Sequence, residues 1–388
     1  MDRQQPADRT ATDTAAVAVV PPATDTDTAA GPALLTLIER TLSTGTAAHL
    51  PGRGFLRLTL PLFDGDPATG GGTTVPFTVD VLADTDRAPH SIAYLLPGGG
   101  LNFAAGFLAP GEQGLAHHLR RQGHLVVGVT PREDAARPGD VSAGWGLAGH
   151  SAGAALALDA AAHDPSPRLR RVLALDTTGP LTGPDAARAA ATRDAYAAQL
   201  AAGTHASDPG LAGLVSRAVT DPEGASAVPW PPDPTLRFTH AGLAHFALIR
   251  TAELPGPANW IYARGHAAGS YAFGATPAED RFALTHTPLA AWHAATAALG
   301  SGLIPVALLR DLSAIWAGDD ATYAIAWDRI RAEVLWLNTE HGRGDHPRGA
   351  DLIRAAGNPR VTYRVVPGYA HGDATWSRTA PEDLWPTS

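Results

Sequence analysis

Gly146 to Asp164 read GLAGHSAGAALALDAAAHD, an apolar run and an alanine-rich run that meet at one serine between two glycines. The first run has the character of a short buried strand and the second that of a helix, which puts Ser151 at a strand-to-helix turn. Gly149-His150-Ser151-Ala152-Gly153 fits G-x-S-x-G in the context that gives the pattern chemical meaning. A serine held there in a strained conformation, at a cost of roughly 1–3 kcal/mol, needs neighbours without bulky side chains. Gly153, Ala154 and Ala155 meet that need. Gly, Ser and Ala are common in this chain, so the same pattern also describes a turn of small residues with no chemical task. The rest of the sequence has to separate the two readings.

Outward from the turn, short apolar runs alternate with helical segments. SIAYLLPGGG, HLVVGVTP, GWGLAGHS and RRVLALDTTG read as strands, with GLAHHLRRQG and AGAALALDAAAHD between them as helices. That alternation predicts an α/β fold with a mostly parallel sheet covered on both faces. Upstream, GFLRLTLPLFDGD and TTVPFTVDVLAD alternate apolar and polar residues and predict an antiparallel entry to the sheet, preceded by a helical pattern over Pro32–Thr41. From about Pro184 to Ala326 the strand signal gives way to helical patterns broken by VPWPPDP, which predicts a helical cap inserted between late strands. AEVLWLNTE, GADLIRAAGN and VTYRVVPGYAHGD then resume the strand–helix–strand pattern. The expected organisation is a disordered tail over 1–30, a first core part over 31–183, the cap over 184–326 and a second core part over 327–388.

The 388 residues, with 45% hydrophobic and 17% charged, suffice for a sizeable core, and Gly (41) and Pro (33) together stay under the roughly 25–30% of low-complexity chains. A net charge of -9 with no basic run argues against a nucleic-acid partner. The absence of cysteine removes thiolate chemistry and disulfides. The N-terminal stretch is acidic, its longest apolar run covers only Ala15 to Val20, and no run reaches the ~18 residues of a membrane span, so a cytoplasmic protein without a membrane partner is expected.

Two further segments favour the chemical reading of Ser151. Tyr94 to Phe103, YLLPGGGLNF, ends a strand in three glycines and offers backbone N–H groups for an oxyanion, each such donor being worth ~2.7–4 kcal/mol to a transition state. His371, in PGYAHGD directly after the last strand, is the one of 16 histidines that combines a strand end, flanking glycine and a near C-terminal position. With these residues the chain resembles an α/β-hydrolase of the esterase or thioesterase kind. The resemblance covers about Gly54 to Asp373 outside the cap. It implies Ser151 as nucleophile, His371 as general base, and an oxyanion hole from Gly99, Gly100 and the N–H of Ala152, with Pro97 where an HGGG-type motif carries histidine.

For the acid the sequence leaves three candidates. Asp176 ends the strand RVLALD and resembles the acid of polyketide-type thioesterases. Glu340 follows EVLWLN, the strand end where most members of the fold carry theirs, and Asp345 stands a little further on in GRGDH. Its task is to fix the imidazole tautomer and stabilise the imidazolium. PREDAARPGDVSAG is too short for the usual crossover helix, and little chain remains after His371 for a terminal one. His341, Asp345 and His346 lie close together but miss the usual zinc-ligand spacings, so no metal and no cofactor is expected. The expected activity is cleavage of an ester or thioester of a bulky, largely apolar small molecule through an acyl-enzyme, the small-molecule acyl substrate being the expected partner. An acyl-transferring cyclase of a natural-product pathway and a non-catalytic ligand-binding protein of the same fold are the alternatives.

Overall fold

The computed structural model describes residues 46–50, 55–66, 71–82, 89–99, 101–108, 114–129, 145–164, 169–297 and 302–385. The expected tail, the helical pattern at Pro32–Thr41, Gly100 and the short connection after Thr130 lie outside the described residues.

A nine-stranded sheet has the order β1-β2-β3-β5-β4-β6-β7-β14-β15. The strands β1 (Thr46–Leu50), β2 (Phe55–Asp66) and β3 (Gly71–Leu82) form its antiparallel edge, and β3 pairs antiparallel with β5 (His124–Val129). The remainder is parallel: β5, β4 (Ser91–Leu96), β6 (Trp145–His150), β7 (Leu169–Leu175), β14 (Glu333–Thr339) and β15 (Val361–Val366). Their near-continuous apolar sequences follow from burial on both faces.

On one face, helix α3 (Ala152–His163) lays Ala154, Leu158 and Ala161 against the sheet, in one core with Trp316 and Trp336. On the other, α1 (Phe103–Phe107) and α2 (Leu115–Arg121) share a core with Leu95, Val126 and Trp385. Burying a side chain such as Leu95 or Phe103 completely contributes about 1.5–3 kcal/mol each. Gly128 makes room for Phe103, whose ring would lie 2.1 Å from any Cβ added there.

Between β7 and β14 the chain leaves the sheet. Helix α4 (Gly183–Ala201) packs against α8 (Val306–Ala317), and α5 (Leu211–Thr220) against α6 (His240–Ile249) and α7 (Leu289–Ala297). This region is not purely helical, contrary to the sequence expectation. It also holds the strand pairs β9 (Ala225–Trp230) with β10 (Asp233–Thr239), β11 (Gly269–Ala272) with β12 (Arg281–Leu284), and the two-residue β8 (Ala206–Ser207) with β13 (Ile304–Pro305). The prolines that break helical periodicity here build a hairpin: Pro231 and Pro232 form the β9–β10 turn, and a two-stranded sheet has free edges that tolerate the missing N–H of Pro229 and Pro234.

After β14 come α9 (Arg348–Ala355) and β15, and the described chain ends in the single helical turns α10 (Asp373–Trp376) and α11 (Ala380–Asp383). Among the described residues no helix is long and apolar enough to cross a membrane.

Candidate active site

Ser151 sits between the last residue of β6 and the first of α3 with φ 58 and ψ −120. An L-residue does not stay there without support, and the support is steric and hydrogen-bonded. The Ser151 N–H donates to the Leu175 carbonyl of β7 at 2.9 Å. A Cβ on Gly149 would lie 2.1 Å from the Gly153 carbonyl oxygen, and one on Gly153 would lie 2.1 Å from that of Leu96. The two glycines of the motif are therefore required by backbone-to-backbone approach. Asp176, one residue past β7, repeats the device: its φ is 46, and its N–H donates to Leu337 of β14 at 2.7 Å. Among the described residues these are the two non-glycine positions with positive φ. Strain of roughly 1–3 kcal/mol at each site persists only where the surroundings over-determine it.

His371 follows β15 and is 4% exposed. Its Nδ1 lies 2.5 Å from Asp176 Oδ2. The Asp176 carboxylate is fully buried and accepts from Thr339 N–H at 2.6 Å, the Thr339 hydroxyl at 2.9 Å and the Arg343 N–H at 3.2 Å. An imidazole that donates Nδ1–H to a carboxylate carries its basic lone pair on Nε2. Of the three acid candidates, the structure brings Asp176 to the ring. Glu340 is an exposed residue whose carboxylate accepts the Gly368 N–H at 2.7 Å, and Asp345 is exposed beside the Tyr363 hydroxyl. Glu340 is not brought to His371 for a geometric reason: the chain turns outward at the end of β14, whereas the strained turn at Asp176 directs its carboxylate inward.

The loop after β4 packs on the nucleophile turn. A Cβ on Gly98 would meet the Ser151 Cβ at 3.1 Å, and one on Gly99 would come within 3.8 Å of Ala152 Cβ. Gly99 and Ala152 are thus neighbours, as an oxyanion hole requires, while Gly100 lies outside the described residues.

Several site residues had no distinct signal in the sequence. His150, the variable residue before Ser151, donates Nε2–H to the His371 carbonyl at 2.9 Å, and the two rings are 4.5 Å apart. Tyr262 and His266 bring their rings within 5.0 and 5.5 Å of His371. Arg343, also 4% exposed, donates from Nη2 to Ser151 Oγ at 3.4 Å. That is the hydrogen bond the serine hydroxyl makes, rather than one to His371. The buried Asp373 accepts from Ala268 N–H at 2.8 Å and the Thr287 hydroxyl at 2.6 Å, tying the inserted region to the loop that carries His371.

Burial dominates the electrostatics. It holds His371 well below the ordinary histidine value, with the neighbouring His150 and the Arg343 charge adding to the effect. His150 is pulled down to about 4 and His266 to about 3 by the same loss of solvent. Burial pushes the Asp176 carboxyl up, against the Thr339 N–H and the Arg343 charge, which favour its ionised form. The arrangement can hold a neutral imidazole between a strained serine turn and a fixed carboxylate.

The cap aromatics divide. Trp230, Phe238, Phe246 and Tyr271 form a core of their own, and Asp280 accepts from the Trp230 indole at 3.0 Å and the Tyr271 hydroxyl at 2.6 Å. Tyr262 belongs to the site. A cavity of about 210 Å³ beside it is lined by Arg343, Trp260, Arg188 and Asp185. A larger groove of about 690 Å³ opens at the opposite ends of the strands, against Ser91, Gly146 and Glu333. In open α/β sheets ligands bind at the carboxyl ends, where Ser151 stands, and the smaller cavity lies at that end, reaching Ser151 through Arg343.

No family model matches the sequence, and no curated protein matches it significantly. Solved structures do. A candidate lipase from Sulfolobus solfataricus is 12% identical, with a TM-score of 0.53 over 88% of this chain and 96% of its own. A candidate lipase from Acinetobacter baumannii is 11% identical, with a TM-score of 0.38 over 92% of this chain and 94% of its own. Homoserine O-acetyltransferase from Bacillus anthracis is 12% identical, with a TM-score of 0.39 over 83% and 93%. With its sheet order, its strained serine turn after β6 and its likeness to the Sulfolobus structure, the chain has the α/β-hydrolase fold.

Proposed function

We propose that the protein is a serine hydrolase that cleaves an ester or thioester through an acyl-enzyme at Ser151. The observation that carries this reading is the 2.5 Å contact of His371 Nδ1 with Asp176, made next to a serine held at positive φ. Backbone strain of this kind clusters at sites where a side chain has to be aimed.

In the first step the Ser151 hydroxyl turns from Arg343 to His371 Nε2, which takes its proton as Oγ attacks the carbonyl carbon. Contacts of this kind are commonly loose without substrate and tighten in the complex. The oxyanion that forms accepts from the N–H groups of Ala152 and Gly99. The carbonyl re-forms, the alkoxide or thiolate leaves, and the imidazolium protonates it. Water then gives its proton to His371, attacks the acyl-enzyme and releases the acid with Ser151 restored. Asp176 stays ionised and holds the ring. The Tyr262 and Trp260 rings, which line the cavity together with Arg343, Arg188, Asp185 and Asp345, are the aromatic surface open to an acyl group.

The test is labelling with a neutral fluorophosphonate read by intact mass. One adduct at Ser151 is expected, absent in Ser151→Ala, together with an esterase kcat lower by about 10⁴–10⁶-fold in that variant. Full activity in Ser151→Ala, or no adduct while a known serine esterase is labelled, would overturn the reading.

A further inference from the structure

The guanidinium of Arg343 is a buried cation whose donors are largely unused. Nη2 makes one long bond to Ser151 Oγ at 3.4 Å, and Nε and Nη1 have no hydrogen-bond partner. It lies over the faces of Tyr262 and Trp316, with its Cζ 4.6 and 5.3 Å from the ring centroids. Such stacking holds a guanidinium in place but satisfies none of its N–H groups. Arginine cannot shed its proton, and a buried charge with open donors is costly unless an anion meets it. Asp176 offsets part of that charge across the site but leaves the donors open, since its oxygens are taken by His371, Thr339 and the Arg343 backbone N–H. Among the other ionisable groups around the guanidinium, His150, His266, His346, His371 and Tyr262 carry no negative charge at neutral pH, and the carboxylates of Asp185 and Asp345, which line the same cavity, make no hydrogen bond to it.

We propose that Arg343 is the receptor for a carboxylate on the substrate's acyl group, so that the preferred substrates are esters or thioesters of acids with a second, ionised carboxyl near the scissile carbonyl. This rests on the hydrolase reading above. The acyl group is the part that stays bonded to Ser151 Oγ through both half-reactions, and Arg343 touches that oxygen. One guanidinium matches one negative charge and the planar fork of a carboxylate. A dianion would instead face the Asp176 carboxylate across the site.

The same contact acts on the base. When His371 takes the serine proton, the site holds imidazolium and guanidinium against the single carboxylate of Asp176. A neutral substrate leaves that imbalance in place, whereas a carboxylate beside Arg343 removes it and makes His371 easier to protonate. Arg343 is therefore a specificity-determining residue that reaches the chemistry through the field at His371.

The test compares mono-4-nitrophenyl glutarate with 4-nitrophenyl pentanoate, which differ by the terminal carboxylate, after subtraction of spontaneous hydrolysis. For the wild-type protein the ratio of kcat/KM is expected to favour the glutarate by about 10–100-fold, the range for hydrogen bonds to a charged group. It should fall to near unity in Arg343→Gln and be partly kept in Arg343→Lys. The acid limb of the kcat profile for the glutarate should also lie at higher pH than that for the pentanoate, and only in proteins with a cation at 343. A wild-type ratio near unity, or one kept in Arg343→Gln, would overturn the proposal.

A second arm does not depend on turnover: glutarate, but not pentanoate, should raise the melting temperature of Ser151→Ala and leave Ser151→Ala/Arg343→Gln unmoved. No glutarate shift in Ser151→Ala would count against Arg343 whatever the enzyme does. If neither ester is turned over and no phosphonate adduct forms, the hydrolase reading falls while this arm still judges the carboxylate site.

Discussion

Strands β7 and β14 lie side by side and end at the same rim of the sheet, yet they bring opposite charges to it. β7 ends in Asp176, forced through a positive φ so that its carboxylate lies inward against His371. At the end of β14, Glu340 turns outward to the Gly368 N–H, and three residues later the chain sends Arg343 inward onto Ser151. A sequence shows two acids after two strands and cannot rank them. Backbone direction ranks them: the strained residue is the buried one, and the relaxed residue is a surface hydrogen bond.

The largest expected effect separates these two ends. Asp176→Asn should keep the fold and lower kcat/KM by ~10³–10⁴-fold, because the amide no longer fixes the imidazole tautomer. A melting temperature near that of the wild type, measured on the same sample, distinguishes lost chemistry from lost structure. Activity within tenfold would move the acid elsewhere.

Next comes the turn that aims the nucleophile. Gly153→Ala pushes a methyl against the Leu96 carbonyl and should destabilise the protein by about 3 kcal/mol, at the upper end for overpacking, seen as a lower urea midpoint. Unchanged stability would show that strand and helix are not in close approach there.

The pH dependence sharpens the role of burial around His371. The imidazole must be neutral to act as base and is held below the ordinary histidine value, so kcat/KM for a neutral ester should stay level below pH 6.5 before it falls. Stability has its own sign. His150 is neutral in the folded protein down to about 4, whereas unfolded histidine takes up a proton near 6.5. Between those values only the unfolded chain gains a proton, so its contribution is fully present above pH 6.5 and is lost as pH falls toward 4. Urea midpoints at pH 7 and 5 should therefore differ more for the wild type than for His150→Asn.

The smallest effect belongs to Glu340. Glu340→Gln keeps an acceptor for Gly368 and should cost less than ~1 kcal/mol, with esterase activity within about threefold of wild type. A large loss of activity would reverse the comparison between the two strand ends.

Ser151 and His371 were legible because their signals are local: a strand, two glycines whose spacing a close backbone crossing demands, and a histidine after the last strand. Arg343 and His150 were not legible, since arginine in GRGDH and histidine inside G-x-S-x-G read as a loop cation and a filler residue. The hairpins of the inserted region were hidden for a related reason: in VPWPPDP a proline pair breaks a helix and turns a hairpin with the same residues.

The sequence by itself determined the alternation of strands and helices, the place of the serine turn and the histidine that follows the last strand. These depend on periodicity and on the size of adjacent residues. Only the tertiary structure decided that Asp176 rather than Glu340 holds His371, that Arg343 stands with open donors beside Ser151, and that Tyr262 faces the site while Tyr271 stays in a core. Those outcomes turn on direction and desolvation, which arise when segments more than a hundred residues apart come together.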